Sequence, residues 1–149
     1  MAGEIVLGFD GSVGSHAALE EAASLAKALG VGVIVAFGYA TSAVGGENRD
    51  EELSIRQMGM QVATEAEEFI RAAGVEVTVE LVHDRPAAGI LDVVREHDAR
   101  LIVVGSRGES PLAGAILGSV PYKLVHQSHV PVLIVPPREA RKGGADAGG

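Results

Sequence analysis

Two hydrophobic periods alternate along this chain, and that alternation constrains its fold more than any other feature. Short, β-branched, nearly continuous apolar runs occur at Glu4–Phe9 (EIVLGF), Val31–Phe37 (VGVIVAF), Arg100–Val104 (RLIVV) and Val130–Val135 (VPVLIV). Runs of this kind predict strands buried on both faces. Between them lie stretches with helical period. Ala18, Ala22, Leu25 and Leu29 recur at spacings of 4, 3 and 4, and Ile55, Met58, Val62, Ala66, Phe69 and Ala73 at 3, 4, 4, 3 and 4. Each set predicts an amphipathic helix with one core face. Gly30 and Gly74 follow these sets, where a left-handed residue commonly ends a helix. Pro86 predicts the first turn of a third helix with Ala87, Ile90, Leu91 and Val94 inward, and Ser119 with Pro121 opens a fourth.

The resulting order, β-α-β-α-β-α-β-α-β, predicts an α/β fold: a single open parallel sheet with helices on both faces, because parallel neighbours need crossover connections. Val75–Leu81 (VEVTVEL) differs from the other strands by alternating apolar and polar residues, which predicts an edge strand with one wet face. The polar, glycine-rich stretch Gly38–Asp50 is expected to be a mobile loop, and Arg138–Gly149, without periodicity, a disordered tail. The expected organisation is one domain over 1–137 and a tail over 138–149. A chain of 149 residues can bury roughly two-thirds of its unfolded surface in one core.

Composition removes several function classes. Twenty acidic against twelve basic residues leave a formal charge of −8, which repels nucleic acid and anionic membrane. Aromatic residues make up 3% with no Trp, too few for base-stacking platforms. The absence of cysteine excludes disulfides, thiolate metal sites and cysteine nucleophiles. Met1–Glu4 carries no basic leader and every apolar run is far shorter than the ~18 residues that span a bilayer, so no membrane association and a cytoplasmic location are expected.

In open α/β sheets ligands bind beyond the carboxyl ends of the strands, which directs attention to the loops there. The first strand is followed by Gly8-Phe9-Asp10-Gly11-Ser12-Val13-Gly14, and the fourth by a long glycine-rich segment from Gly105 to Ser119. Glycines in the second loop let backbone N–H groups face an anion, and Gly118-Ser119 leads into a helix whose positive end favours phosphate. This predicts a phosphate cradle. No G-x-x-x-x-G-K-[ST] occurs, no G-x-G-x-x-G follows the first strand, and Asp10 is the sole carboxylate of the first loop. Walker-type nucleotidases, dinucleotide dehydrogenases and phospho-receivers are thereby disfavoured.

Single residues carry two readings each. Asp10 suits either a ligand contact or an Asx-turn or cap that serves only its local backbone. Arg107 lies inside the cradle, where it would pair with phosphate or simply be solvated. His126 and His129 stand three apart across a helix end, a poor spacing for a metal. His97 is explained by its place in the last turn of the third helix, and the glutamates of the second helix by its wet face.

The spacing G-x2-G-x9-G-S, from Gly105 through Gly108 to Gly118 and Ser119, resembles the ATP-binding signature of the universal stress protein family. The similarity runs from about Ile5 to Val135. It implies a five-stranded parallel sheet ordered 3-2-1-4-5, the adenine nucleotide alpha hydrolase-like arrangement, often dimeric, with ATP and in some members cyclic AMP as ligand. Carried residue by residue, it implies that Gly108, Gly118, Ser119 and Val120 cradle phosphates and that Val104 and Gly105 line the nucleoside. Gly8, Phe9 and Phe37 would wall the adenine, and Asp10 would face ribose or a metal held with the phosphates. Asp84 before Arg85-Pro86 departs from the glycine that many members carry there, which affects the rim.

The expectation is therefore an ATP-binding stress-response protein, with Mg²⁺ or Mn²⁺ compensating phosphate charge and at most slow ATP hydrolysis, since neither a Walker lysine nor an evident base beyond Asp10 is present. A nucleotidyl-transfer enzyme or pyrophosphatase would call for S-G-G-x-D-S or H-x-G-H where G-F-D-G-S-V-G-S stands; a pure interaction scaffold would not need the cradle at all. With order 3-2-1-4-5, the strand at 130–135 forms an apolar edge, which predicts a homodimer through it, with Pro131 and Pro136 confining the ladder to its middle.

Overall fold

Parallel strands cannot be joined by hairpins, so each apolar run must be followed by a helix that returns the chain across the sheet. The computed structural model, which describes residues 3–39, 49–83, 85–107 and 117–137, has this construction. Its elements are β1 (Ile5–Gly8), α1 (Val13–Leu29), β2 (Val33–Tyr39), α2 (Arg49–Ala72), β3 (Val77–His83), α3 (Pro86–His97), β4 (Leu101–Gly105), α4 (Ser119–Gln127) and β5 (Val132–Val135). All neighbouring strands run parallel, in the order β3-β2-β1-β4-β5. Most of the segment read as a loop over 38–50 lies outside the described residues, as do Asp84, Gly108 and Arg138–Gly149. Among the described residues no helix is long and apolar enough to cross a membrane.

The side chains of β1 show how the sheet divides the core. Ile5, Leu7 and Phe9 enter one cluster with the alanine-rich face of α1 and with Ala63, Ala66 and Ile70 of α2. Val6 points the other way, into a cluster with Ile34, Ala36, the inner face of α3 and Leu124 of α4. The period of two along the strand thus meets the period of 3.6 along the helices on both faces. Gly30 and Gly74 end α1 and the α2 turn with φ of 69° and 83°, the left-handed conformation expected of them.

The face of α2 differs from its sequence reading. Met58 is 64% and Phe69 45% exposed, while Gly59, Ala63, Ala66 and Ile70 are buried. The cause is close approach: a Cβ added at Gly59 would stand 3.0 Å from the ring of Phe37 on β2. Small residues let the helix sit against the sheet, and the large apolar ones flank that contact. β3 also begins two residues later than Val75, because Gly74 and Val75 donate back to Arg71 and Ile70 in the helix-ending turn. β5 is shorter than 130–135 and is not buried on both faces: Val130 N–H donates to Ser128 Oγ at 3.0 Å instead of to a ladder, Leu133 is exposed, and Val135 alone in the strand is fully buried.

Candidate functional site

The chain leaves β1 for α1 on one face and leaves β4 for α4 on the other, so a crevice opens between the carboxyl ends of these two central neighbours. A cavity of about 320 Å³ occupies it. Gly8, Phe9 and Asp10 line it from the end of β1, Phe37 from β2, Val104, Gly105 and Arg107 from the end of β4, and Gly118, Ser119 and Val120 from the start of α4. These are the residues singled out in the sequence, with the exception of Gly108, which lies outside the described residues. Sequence reasoning missed Ser12 and Ser15 of α1, Ala36 of β2, Pro86 and Ile90 of α3, and Pro121 of α4. Pro86 could have been found, since a helix returning from β3 must begin at the same end of the sheet as the ligand crevice.

The lining mixes apolar and polar residues. Ala36, Phe37, Pro86, Ile90 and Val104 are the larger part of the apolar set. The cavity floor depends on Gly8, where a Cβ would come within 2.8 Å of both Ile90 Cδ1 and Val104 Cγ1. The polar members are Asp10, Ser12, Ser15, Arg107 and Ser119. The first turns of α1, α3 and α4 all contribute to the lining, so three helix dipoles bring their positive ends to one place. α1 is capped by Ser12, whose Oγ accepts Ser15 N–H at 3.2 Å. At α4 the N-cap is Gly118 and, among the described residues, no side chain caps the first turn, which leaves that end suited to an external anion. Gly118 itself donates its N–H to the Ser106 carbonyl at 2.8 Å, closing the neck of the β4–α4 connection.

Asp10 serves its local backbone, as one of its two readings held: Oδ1 accepts Ser12 N–H at 2.9 Å. The residue is nevertheless exposed at the cavity rim and keeps a second carboxylate oxygen. Next to Ser12 and Ser15, His16 bridges α1 and α2. Its Nδ1 lies 2.8 Å from the Ser12 carbonyl and its Nε2 2.7 Å from Glu65 Oε1, and its ring meets Phe9 edge-on with centroids 5.2 Å apart. Both partners are acceptors, so only the doubly protonated ring satisfies both. The Glu65 carboxylate, then the Ser12 carbonyl, raise the His16 pKa above 6.5 against a smaller opposing effect of burial.

His97 stands in the last turn of α3, as its place in the sequence implied, and its Nε2 also lies 3.1 Å from Glu80 Oε1 on β3.

With this geometry in hand, the comparison with known proteins is specific. The sequence profile of the universal stress protein family matches residues 1–136. This chain belongs to the universal stress protein family. A universal stress protein of Mycobacterium tuberculosis is 35% identical over 141 residues, covering 90% of this chain and 48% of the relative. The chain therefore spans about half the length of the mycobacterial relatives it matches. Among solved structures, a universal stress protein in complex with cAMP is 29% identical with a TM-score of 0.73, over 91% of this chain and 97% of the other. A universal stress protein from Archaeoglobus fulgidus in complex with dAMP is 26% identical with a TM-score of 0.68, over 89% of this chain and 97% of the other.

Proposed function

We propose that this chain is an adenine-nucleotide-binding regulatory protein whose preferred ligand is ATP. The observation that carries the reading is the meeting, in the lining of one cavity, of apolar Phe37, Ile90 and Val104 with the first turn of α4 and with Arg107. A base fills the slot between Phe37, Ile90 and Val104, and the phosphates lie toward Ser119, Val120 and Arg107, with Gly118 giving them room; Gly108 is assigned to the same cradle from the glycine spacing of the sequence alone. The residues also suit a divalent cation of the Mg²⁺ or Mn²⁺ type. Asp10 retains one carboxylate oxygen, and such ions are commonly held by one or two carboxylates together with phosphate oxygens and water. When bound, the ion would neutralise phosphate charge.

Asp10 is the one carboxylate among the described residues lining the cavity, so we assign the site to binding and regulation, with hydrolysis slow at most. Calorimetric titration with ATP and Mg²⁺ tests the reading. Binding at or below about millimolar concentration, abolished by Gly118→Val, is expected; no heat at that concentration sinks it. Cyclic AMP is the second reading, favoured by the relative solved with that ligand, and tighter binding of it than of ATP would replace the ligand while keeping the site. Steady turnover of ATP near about one per second would instead favour an enzyme. We further propose a cytoplasmic homodimer paired through β5, without nucleic acid or membrane as partner.

A further inference from the structure

We propose that Gly14 is a positioning residue for the phosphate end of the cavity, holding Arg107 in place from behind without lining the cavity itself. The purpose assigned to it rests on the nucleotide reading above, whereas the contact rests on geometry alone. Gly14 is buried in the first turn of α1, and a Cβ there would stand 2.5 Å from the carbonyl oxygen of Arg107. The contact is reciprocal: a Cβ on Gly105 would stand 2.6 Å from the carbonyl oxygen of Gly14 and 3.2 Å from Ser15 N. These neighbours are backbone atoms, which cannot swing aside as the end of a side chain can.

The first turn of α1 therefore meets the end of β4 backbone to backbone. Gly14 has no left-handed φ to require glycine, and helix propensity disfavours it there, so the missing side chain answers to this gap. The same short segment is held from two other sides. Ser106 N–H donates to the Val135 carbonyl at 3.0 Å, and the Ser106 carbonyl accepts Gly118 N–H at 2.8 Å. Arg107, which lines the cavity, emerges from a peptide clamped by α1, β5 and the α4 cap. A methyl group at Gly14 would push the Arg107 carbonyl outward, tilt that peptide and carry the guanidinium away from the first turn of α4.

The test is Gly14→Ala in the full chain, measured for ATP affinity in Mg²⁺ buffer and for thermal unfolding. Affinity, measured below the onset of unfolding, should fall about tenfold or more, the scale of a lost charge-assisted hydrogen bond, and the unfolding temperature should fall as well because the overlap is with backbone atoms. In an Arg107→Ala background the same substitution should add almost nothing to the loss of affinity while still lowering the unfolding temperature, because its effect on binding passes through Arg107. Unchanged affinity in Gly14→Ala, or losses that multiply in the double variant, would overturn the proposal. Should Gly14→Ala not fold, the Gly14 amide resonance decides: it must move with nucleotide in the unmodified protein and stay still in Arg107→Ala, and indifference in the unmodified protein refutes the coupling. If no nucleotide binds at all, the nucleotide reading fails separately. The clamp is then judged in ligand-free protein, where Gly14→Ala must shift the Ser106 and Arg107 amides, and unshifted amides refute it.

Discussion

The two edges of the sheet are built by opposite rules. β3 pairs with β2 along its whole length, from Val33↔Val77 to Tyr39↔His83, and α2 and α3 pack on its two faces. Val77, Val79 and Leu81 join the core on the α2 side, while Thr78 and Glu80 point to the α3 side, where Glu80 engages His97. β5 pairs with β4 over four positions, Ile102↔Val132 to Gly105↔Val135. It carries no charge, and exposed Leu133 lies on it while Tyr122 and Val125 are exposed on the adjacent α4. Both edges lie under a helix on each face, α1 and α4 in the case of β5, so helical cover does not separate them. A polar edge resists pairing with another chain, and a short apolar edge beside exposed Tyr122 and Val125 does not. The difference teaches where a second copy would seat, and it can be attacked from both sides.

The largest effect is expected on the β3 side. Ile70 is fully buried where α2 meets the sheet, so Ile70→Ala should cost about 2–5 kcal/mol in urea unfolding, whereas Leu133→Ala on β5 should cost the folded monomer under about 1 kcal/mol. Similar losses at both positions would mean that the two edges are equally covered. Next is assembly: Leu133→Lys should weaken a β5-paired dimer by about thirtyfold or more and leave a folded monomer, read by light scattering. An unmodified protein already monomeric at high concentration ends the dimer proposal and spares the nucleotide one. Smaller still is the reverse experiment. Thr78→Val with Glu80→Val, placed in the Leu133→Lys background, should restore weak self-association through the opposite edge, because the polar guard is what keeps that edge single. A strictly monomeric triple variant would show that α2 and α3 suffice to close it.

Much of this contrast could be read from the chain. The alternation V-E-V-T-V-E-L marked β3 as an edge because a period of two with one wet face has no other use in a parallel sheet. The alternation of strand and helix periods led to the layers, and the resemblance to universal stress proteins supplied the strand order. The choice of two loops followed from their position at the carboxyl ends of β1 and β4, and the resemblance assigned the individual crevice residues, Phe37 of β2 among them. What escaped has a common physical cause. Hydrophobic periodicity weighs Met58 and Phe69 heavily and Gly59 and Ala63 hardly at all, although close packing at Phe37 selects the small residues. Likewise Gly105 looked like a ligand-facing glycine by spacing, and nothing local disclosed that Gly14, ninety-one positions earlier (105 − 14), fills the space behind it. Contacts set by the absence of a side chain leave no pattern in sequence.

The smallest effect concerns the joint between the β3 side and the crevice. His16 ties α2, through Glu65, to the Ser12 carbonyl and the Phe9 ring at the cavity wall. Its folded pKa is raised above 6.5, chiefly by the Glu65 hydrogen bond, so its contribution to stability is complete below the unfolded value and is lost as pH rises through the folded one. The acidic side chain of Glu20 faces the ring from one turn along α1 and favours the same charged form. With the His16 and Glu65 side chains 42% and 57% exposed, solvent screening holds the contribution below about 1 kcal/mol. Urea unfolding of the unmodified protein and His16→Gln between about pH 5.5 and 8.5 should show a stability gap that closes toward alkaline pH and shrinks with added salt. Glu65→Gln should flatten most of that dependence in the unmodified His16 background. A gap of constant size across the range would mean that the ring acts by packing against Phe9 alone, and that the link between the β3 side and the crevice is apolar.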